Sequence, residues 1–332
     1  MIHLNTLVGG RNVATLRPML EHYQKLGIRS FLINAHLSQE GDPVLDEIRA
    51  VTRDLGVPIA AVVIGNWLEV LRRTYRESRQ AYPKDWHILA DQDELQVYPV
   101  PLLELESICD KKGFHYVYGC WVDRIAADGR FPEIDPRLPL WDQFPVGAFL
   151  SYPIGAADPR KVVLARSDVD VCVGQHLAWN GRGCPISEVL VQVHHFKWTG
   201  GIIAELESRA ELLKQRGYRF HVESARFAKY FKENNGRAPL RDPRILAAIC
   251  SQNYPHWELV RKWLILINAY VNFGKQIIPG PYSLSSNSSE IARLRNKLVP
   301  NISSDRFYEG DENNDPTFGL EPLRQIWINS RH

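Results

Sequence analysis

Three carboxylates crowd four consecutive positions, Asp91-Gln92-Asp93-Glu94, directly after the apolar run His87-Ile88-Leu89-Ala90. In an extended backbone side chains two apart point the same way, so Asp91 and Asp93 can face one site while Gln92 turns aside. Two convergent carboxylates suit a hard divalent cation, Mg²⁺ or Mn²⁺. Such a cation can grip a diphosphate and stabilise the negative charge that develops when a group leaves it. A solvated turn would hold the same residues. Acids packed this tightly behind a buried strand nevertheless repel one another, and they need a counter-charge. Lys161 and Arg124 are cations able to pair with phosphate oxygens or with ordinary surface partners.

The elements around the cluster follow from hydropathy. Ser30 to Leu37 reads as a buried strand, and Ile2 to Val8, Pro58 to Ile64, His87 to Ala90 and Phe114 to Val122 read as further apolar strands. Between them Val13, Leu16, Leu20 and Tyr23, then Val44, Ile48, Val51 and Leu55, then Leu68, Leu71 and Tyr75, then Leu102, Leu105, Ile108 and Cys109 recur at helical spacing. Pro18 lets regular helix begin only near Leu16. This alternation predicts an α/β fold, a mostly parallel sheet with helices on both faces. Ligands of such sheets bind beyond the carboxyl ends of the strands, where the acidic cluster sits.

From Asp123 to Pro159 the pattern loosens into a Pro-, Gly- and Trp-rich stretch, expected to be a loop covering the site. Strands are expected again at Val162 to Leu164, Val169 to Val173 and Val189 to Phe196. After Gly200-Gly201 the segments Ile202 to Arg216, Val222 to Asn234, Arg244 to Ser251 and Trp257 to Phe273 read as helical. Residues 279 to 317 are rich in Ser, Asn, Asp and Pro and are expected to be partly mobile. The Trp257 to Phe273 helix carries Arg261 and Lys262 beside Trp263, which suits burial, an oligomer contact or the inner face of a membrane.

The 332 residues are 45% hydrophobic and 23% charged with a formal net charge of +2. No basic stripe argues for nucleic acid as a partner. The 5 Cys are an odd number without close pairing, unlike a disulfide framework. Met1 to Asn5 lacks a basic segment followed by a long apolar run, and Leu264 to Phe273 is too short to span a bilayer. A soluble cytoplasmic protein is expected.

The run Trp86-His87-Ile88-Leu89-Ala90-Asp91-Gln92-Asp93-Glu94 resembles the strand and Asp-x-Asp motif of GT-A-fold glycosyltransferases, and most of all a bacterial glycosyltransferase family 2-like branch with an Asp-x-Asp-Glu form. Asp123-Arg124 with Asp128-Gly129, Gln143-Phe144-Pro145, Lys161-Val162-Val163-Leu164, Gly174-Gln175-His176 and His194-His195-Phe196-Lys197-Trp198 follow in the matching order, over roughly residues 1 to 235. The resemblance implies a catalytic domain at 1–200, with a nucleotide-sugar-binding half at 1–122 and an acceptor and metal half at 123–200, before a helical region at 201–332. It implies transfer of a sugar from a nucleotide-diphosphate donor to a hydroxyl of a glycan or other acceptor, with Mn²⁺ or Mg²⁺ as cofactor. Asp91 and Asp93 would hold the metal and donor phosphates, with Gln92 among the donor-binding residues. A late histidine would complete the metal shell, either His195 or His194, which strand parity makes alternatives. The usual opening pair is reduced here to Gly10-Arg11-Asn12, and the second strand ends Asn34-Ala35-His36 rather than in acids. Thr6, Asn34 and His36 are then the groups available to a base or ribose.

The resemblance further implies inversion, which needs a general base within reach of the acceptor proton. The expected Glu-Asp pair is absent between Lys161 and His194, which leaves Glu94, Asp142 and His176 as candidates. Trp121, Trp141 and Trp198 are available to stack on a sugar or to fill the core. Two rivals share features of this pattern. A nucleotidylyltransferase would have related architecture and a Gly-rich basic loop, faintly echoed by Gly9-Gly10-Arg11. A non-catalytic carbohydrate-binding protein would keep the aromatics without needing the carboxylates.

Overall fold

The computed structural model describes residues 1–155, 157–217 and 221–265. The 279–317 stretch and the second half of the 257–273 helix lie outside the described residues. Two compact units form. The first comprises Met1–Phe149, Asp158–Ile202 and Arg237–Pro255. The second comprises Leu150–Ala157, Ile203–Gly236 and the chain from His256.

The first unit is α/β, as the hydropathy pattern predicts, but its sheet is mixed rather than mostly parallel. Its amino-terminal half alternates β1 (Ile2–Val8), α1 (Leu16–Lys25), β2 (Ser30–Leu37), α2 (Val44–Asp54), β3 (Ile59–Ile64), α3 (Trp67–Gln80) and β4 (Trp86–Leu89). These four strands are parallel in the order β3-β2-β1-β4. The chain therefore builds outward from β1 on one side and then returns to its other side with β4. Between β1 and β4 the order reverses, and that crevice, at the carboxyl ends, is where open α/β sheets take ligands. Residues Leu16, Met19, Leu20 and Tyr23 form the buried stripe of α1, and Pro18 falls in its first turn, where no backbone donor is needed.

The second half of the sheet is mainly antiparallel. It contains β5 (Glu94–Val97), β6 (Tyr116–Ile125) beyond α4 (Leu102–Lys112), β7 (Val146–Ala148) beyond α5 (Leu140–Gln143), β8 (Arg160–Arg166), β9 (Val191–His195) and β10 (Ala248–Ile249). Strand β8 pairs with β4 and β6, and β6 also pairs with β7 and β9. Strand β9 closes on β5 in the register Glu94↔His195 and Leu95↔His194.

Several expectations change here. The 123–159 stretch holds the end of β6, α5, β7 and the short α6 (Ser151–Gly155) rather than one irregular loop. Val169 to Val173 is not a strand: an isolated bridge joins Val171 to Ala178 around a 3-10 turn at Val173–Gln175. Arg244 to Ser251 is not helical, because Leu246 takes a left-handed φ of 46° and β10 then adds to the sheet edge. The second unit contains α6, nearly all of α7 (Ile202–Gln215), α8 (His221–Glu233) and helical residues 257–265. Phe227 and Phe231 stack along α8. Among the described residues no helix is long and apolar enough to cross a membrane.

At the amino ends of β1 and β4, far along the strands from the acidic cluster, His3 and His87 stack with ring centroids 5.1 Å apart. His3 Nε2 lies 2.9 Å from Asp85 Oδ2, while His87 is fully buried. Burial depresses the His87 pKa to about 4, against the weaker opposing effect of the Tyr82 carbonyl. The folded state thus refuses a proton that the unfolded chain accepts below pH 6.5, so stability falls as pH drops from 6.5 towards 4. Between pH 7 and pH 5 this group should cost about 2 kcal/mol. Urea midpoints of wild type and His87→Gln at the two pH values should show a smaller loss in the variant; equal losses would contradict the assignment.

Candidate functional site

The acidic cluster lies where β4 ends and β5 begins, and its neighbours arrive from several other segments. Gln92 does not face solvent. Its Oε1 accepts from Gly9 N at 2.9 Å and its Nε2 donates to Gly9 O at 2.8 Å, clamping the carboxyl ends of β1 and β4 together. Gly9 has to be glycine because a Cβ there would sit 2.4 Å from the His36 carbonyl oxygen.

Asp91 and Glu94 share one ammonium. Lys161, 1% exposed on β8, places Nζ 2.9 Å from Asp91 Oδ2 and 3.0 Å from Glu94 Oε1. Glu94 is fully buried and its remaining capacity is used. Trp121 Nε1 donates to Oε1 at 2.7 Å and Asp91 N to Oε2 at 3.1 Å. Asp91 Oδ1 faces Tyr75 Oη at 3.4 Å and Gln175 Nε2 at 3.3 Å. Burial opposes ionisation of Asp91, but the Lys161 ammonium outweighs it and holds the carboxyl below its ordinary range. At Glu94 burial wins and the pKa rises, although Lys161 pulls it down.

Asp93 has its partner on β9. His195 Nε2 lies 3.7 Å from Asp93 Oδ2, and its Nδ1 lies 3.4 Å from Asp123 Oδ1. Asp123, fully buried on β6, accepts from Trp198 Nε1 at 2.7 Å. The Trp121 ring stacks on the imidazole at 4.8 Å and 13°. Burial alone would lower the His195 pKa; Asp93 and Asp123 together raise it above the ordinary value. Lys161 and His195 stand against Asp91, Asp93, Glu94 and Asp123, so the cluster stays net negative.

Among the described residues no group of three or more His, Cys, Asp or Glu is arranged to hold a metal ion. Asp93 and His195 nevertheless fit as a pair. Their 3.7 Å separation is too long for a hydrogen bond, so an oxygen and a nitrogen donor of the kinds such an ion takes face one another without bonding directly. Asp123 behind the imidazole is the carboxylate that a metal-bound histidine ordinarily has on its other nitrogen. Mg²⁺-like ions need only one or two protein carboxylates where substrate phosphates supply other ligands.

Strand parity separates the remaining predicted residues. His194 points away from Asp93, with its Nε2 2.8 Å from the Gln252 carbonyl and its ring against Trp141. Burial and the nearby Arg124 cation push its pKa well down. Arg124 is likewise turned from the cluster: it donates to the carbonyls of Phe144, Cys250 and Ser251 and lies over Trp141. Asp142 sits in the short α5. Trp141 packs edge-on against Phe196. His176 joins the site, edge-on to Trp121, with Nδ1 2.8 Å from the Arg160 carbonyl. A carbonyl can only accept, so Nδ1 carries the proton and Nε2 is the basic nitrogen.

On the β1–β2 side, Thr6 Oγ1 is buried without a hydrogen-bond partner among the described residues. Asn34 Nδ2 donates to the Thr6 and Leu32 carbonyls, and Ser78 donates to its Oδ1. His36 Nε2 donates to Gly65 O at 2.8 Å, and its ring meets Trp67 edge-on. Sequence reasoning gave no role to Tyr75, Asp123 or Gln175. Tyr75 is legible only as a helical apolar position; Asp123 and Gln175 lie within the runs Asp123-Arg124 and Gly174-Gln175-His176, where nothing local fixes which way they point.

No protein-family model matches the chain, and no curated protein does. Solved structures resemble it at low identity. A Bacillus anthracis protein assigned as a glucose-1-phosphate thymidylyltransferase is 11% identical, with 42% of this chain covering 62% of that one at a TM-score of 0.27. TarS of S. aureus, residues 1–349, is 11% identical, with coverage of 71% and 73% and a TM-score of 0.29. The inositol-1-phosphate CTP transferase of T. maritima is 16% identical, with coverage of 69% and 81% and a TM-score of 0.26. The chain spans 62% and 64% of the first two structures it matches. Overlaps this loose carry no argument about activity, which rests on the geometry above.

Proposed function

We propose that this protein is a glycosyltransferase of GT-A-like architecture that moves a sugar from a nucleotide-diphosphate donor to an acceptor hydroxyl. The observation that carries the reading is the Asp93–His195 pair, 3.7 Å apart and backed by Asp123, in a net-negative cluster at the β1/β4 crevice. Asp93 and His195 hold a divalent cation together with donor phosphates. When bound, the cation acts as a Lewis acid towards the diphosphate leaving group. Asp91, locked to Lys161, presents the ammonium beside the phosphates rather than serving as a second metal ligand.

Of the three candidate bases, His176 fits best. Glu94 has both oxygens engaged and no exposure, and among the described residues no contact ties Asp142 to the cluster. His176 has a defined acceptor nitrogen beside Trp121. In the proposed step the acceptor oxygen bonds the anomeric carbon as the carbon–oxygen bond to phosphate breaks. The bonding pair leaves with the diphosphate, and the acceptor proton passes to His176 Nε2. One displacement inverts the anomeric centre.

The test is calorimetric binding of UDP, GDP, CMP and dTDP with and without Mn²⁺. Binding of one nucleotide that strengthens with Mn²⁺ supports the reading. If none binds under either condition, the transferase reading fails and a glycan-binding module becomes the hypothesis to examine. Release of nucleotide without pyrophosphate from the matching nucleotide sugar separates sugar transfer from nucleotidyl transfer.

A further inference from the structure

Gln175 combines two local costs beside the acidic cluster. Its φ is 61°, in the left-handed region, although it carries a side chain. Such a backbone costs about 1–3 kcal/mol and persists where its surroundings impose it. Here they do. The preceding Gly174 has φ 79°, and a Cβ on it would fall 2.9 Å from the His176 ring. The side chain is 1% exposed. Its Nε2 donates to Asp91 Oδ1 at 3.3 Å, which fixes the amide orientation, since the reverse would set a carbonyl against a carboxylate. Oε1 is then buried with no hydrogen-bond partner among the described residues. An acceptor left so costs about 1–3 kcal/mol. Strain and an unmet acceptor in one residue, touching Asp91, are what a ligand contact held ready for use looks like.

We propose that Gln175 Oε1 accepts a hydrogen bond from a hydroxyl of the sugar-bearing ligand and thereby selects it. This rests on the function proposed above. Phosphate oxygens at neutral pH offer an amide carbonyl nothing, whereas sugar hydroxyls donate. The hydroxyl belongs either to the ribose or to the transferred sugar, and the test separates the two.

The full chain is titrated, in Mn²⁺, with the nucleoside diphosphate that it binds, the 2′- and 3′-deoxy analogues, and the corresponding nucleotide sugars. Gln175→Leu fills most of the volume and removes the acceptor together with the donor to Asp91 Oδ1, so the comparison between ligands with and without the hydroxyl carries the reading. The variant should weaken by about tenfold only those ligands that carry the recognised hydroxyl. A loss confined to nucleotide sugars assigns the transferred sugar. A loss shared by the diphosphate but absent for one deoxy analogue assigns the ribose. Gln175→Gly removes the acceptor and the backbone strain, which offsets part of the cost of the cavity and of the lost donor to Asp91, so it should melt no lower than Gln175→Leu while the same tenfold is lost. That pairing is not expected of a merely supporting side chain. Equal weakening of every ligand, or none, overturns the proposal. If wild type binds no nucleotide at all, the functional reading fails and this inference goes with it.

Discussion

Lys161→Met is expected to lower the melting temperature by roughly 10 °C, corresponding to about 3–5 kcal/mol lost when one member of a buried ionic group is removed. The side chain is 1% exposed and its Nζ is 2.9 Å from Asp91 and 3.0 Å from Glu94. Met fills the volume but leaves both carboxylates without their cation, and Glu94, fully buried, cannot turn to water. Adding Glu94→Gln to Lys161→Met should recover part of the loss, because one of the stranded charges is then gone. Differential scanning fluorimetry of the three proteins decides. A Lys161→Met variant that melts within a degree or two of wild type would show that the counter-charge comes from elsewhere.

Asp93→Asn is expected to abolish the gain in nucleotide affinity on adding Mn²⁺ and to slow donor turnover by roughly two orders of magnitude or more, the scale of several kcal/mol of metal assistance. Asp123→Asn should behave differently. Asp123 sits behind His195, at 3.4 Å from Nδ1. Losing it should raise the Mn²⁺ concentration for half-saturation by about 10–100-fold while saturating Mn²⁺ restores binding. Electron paramagnetic resonance of free Mn²⁺ gives the occupancy without reference to activity. The two variants should therefore split, one beyond rescue by metal and one rescued. If both retain wild-type Mn²⁺ dependence, the ion is not held by this pair.

The parallel half of the sheet was readable because its strands are short apolar runs broken by Gly, and their order of alternation with helices does not depend on distant residues. The acidic cluster was readable for the same reason: it follows one of those strands. Strand β5 was not. Glu94-Leu95-Gln96-Val97 looks like the tail of a polar turn, and it becomes a strand only through pairing with Gln192 to His195, almost a hundred positions later. That pairing also decides between the two histidines. Parity told that His194 and His195 oppose one another, but only the Glu94↔His195 register puts His195 on the face of Glu94, and the turn at Gln92 and Asp93 then carries Asp93 to within 3.7 Å of its ring. Arg124 illustrates the converse error. A cation next to Asp123 in sequence is thrown by the same alternation onto the Trp141 side, where backbone carbonyls absorb it. The Val169 to Val173 expectation failed because the left-handed Gln175 turns the chain back before a ladder can form.

The long reach of Lys161 to Asp91 has a consequence in time. The two are 70 positions apart, and at about 5–20 residues per second of synthesis roughly 4–14 s separate their appearance. During that interval the nascent β1–β4 layer carries mutually repelling acids on a strand whose other edge still awaits β8. The half-built sheet thus leaves the outer edge of β4 unpaired beside uncompensated acids, and docking of β8 both closes that edge and delivers the missing charge. A ribosome stalled before residue 161 should display a protease-sensitive chain, and one stalled well past residue 195 a resistant one.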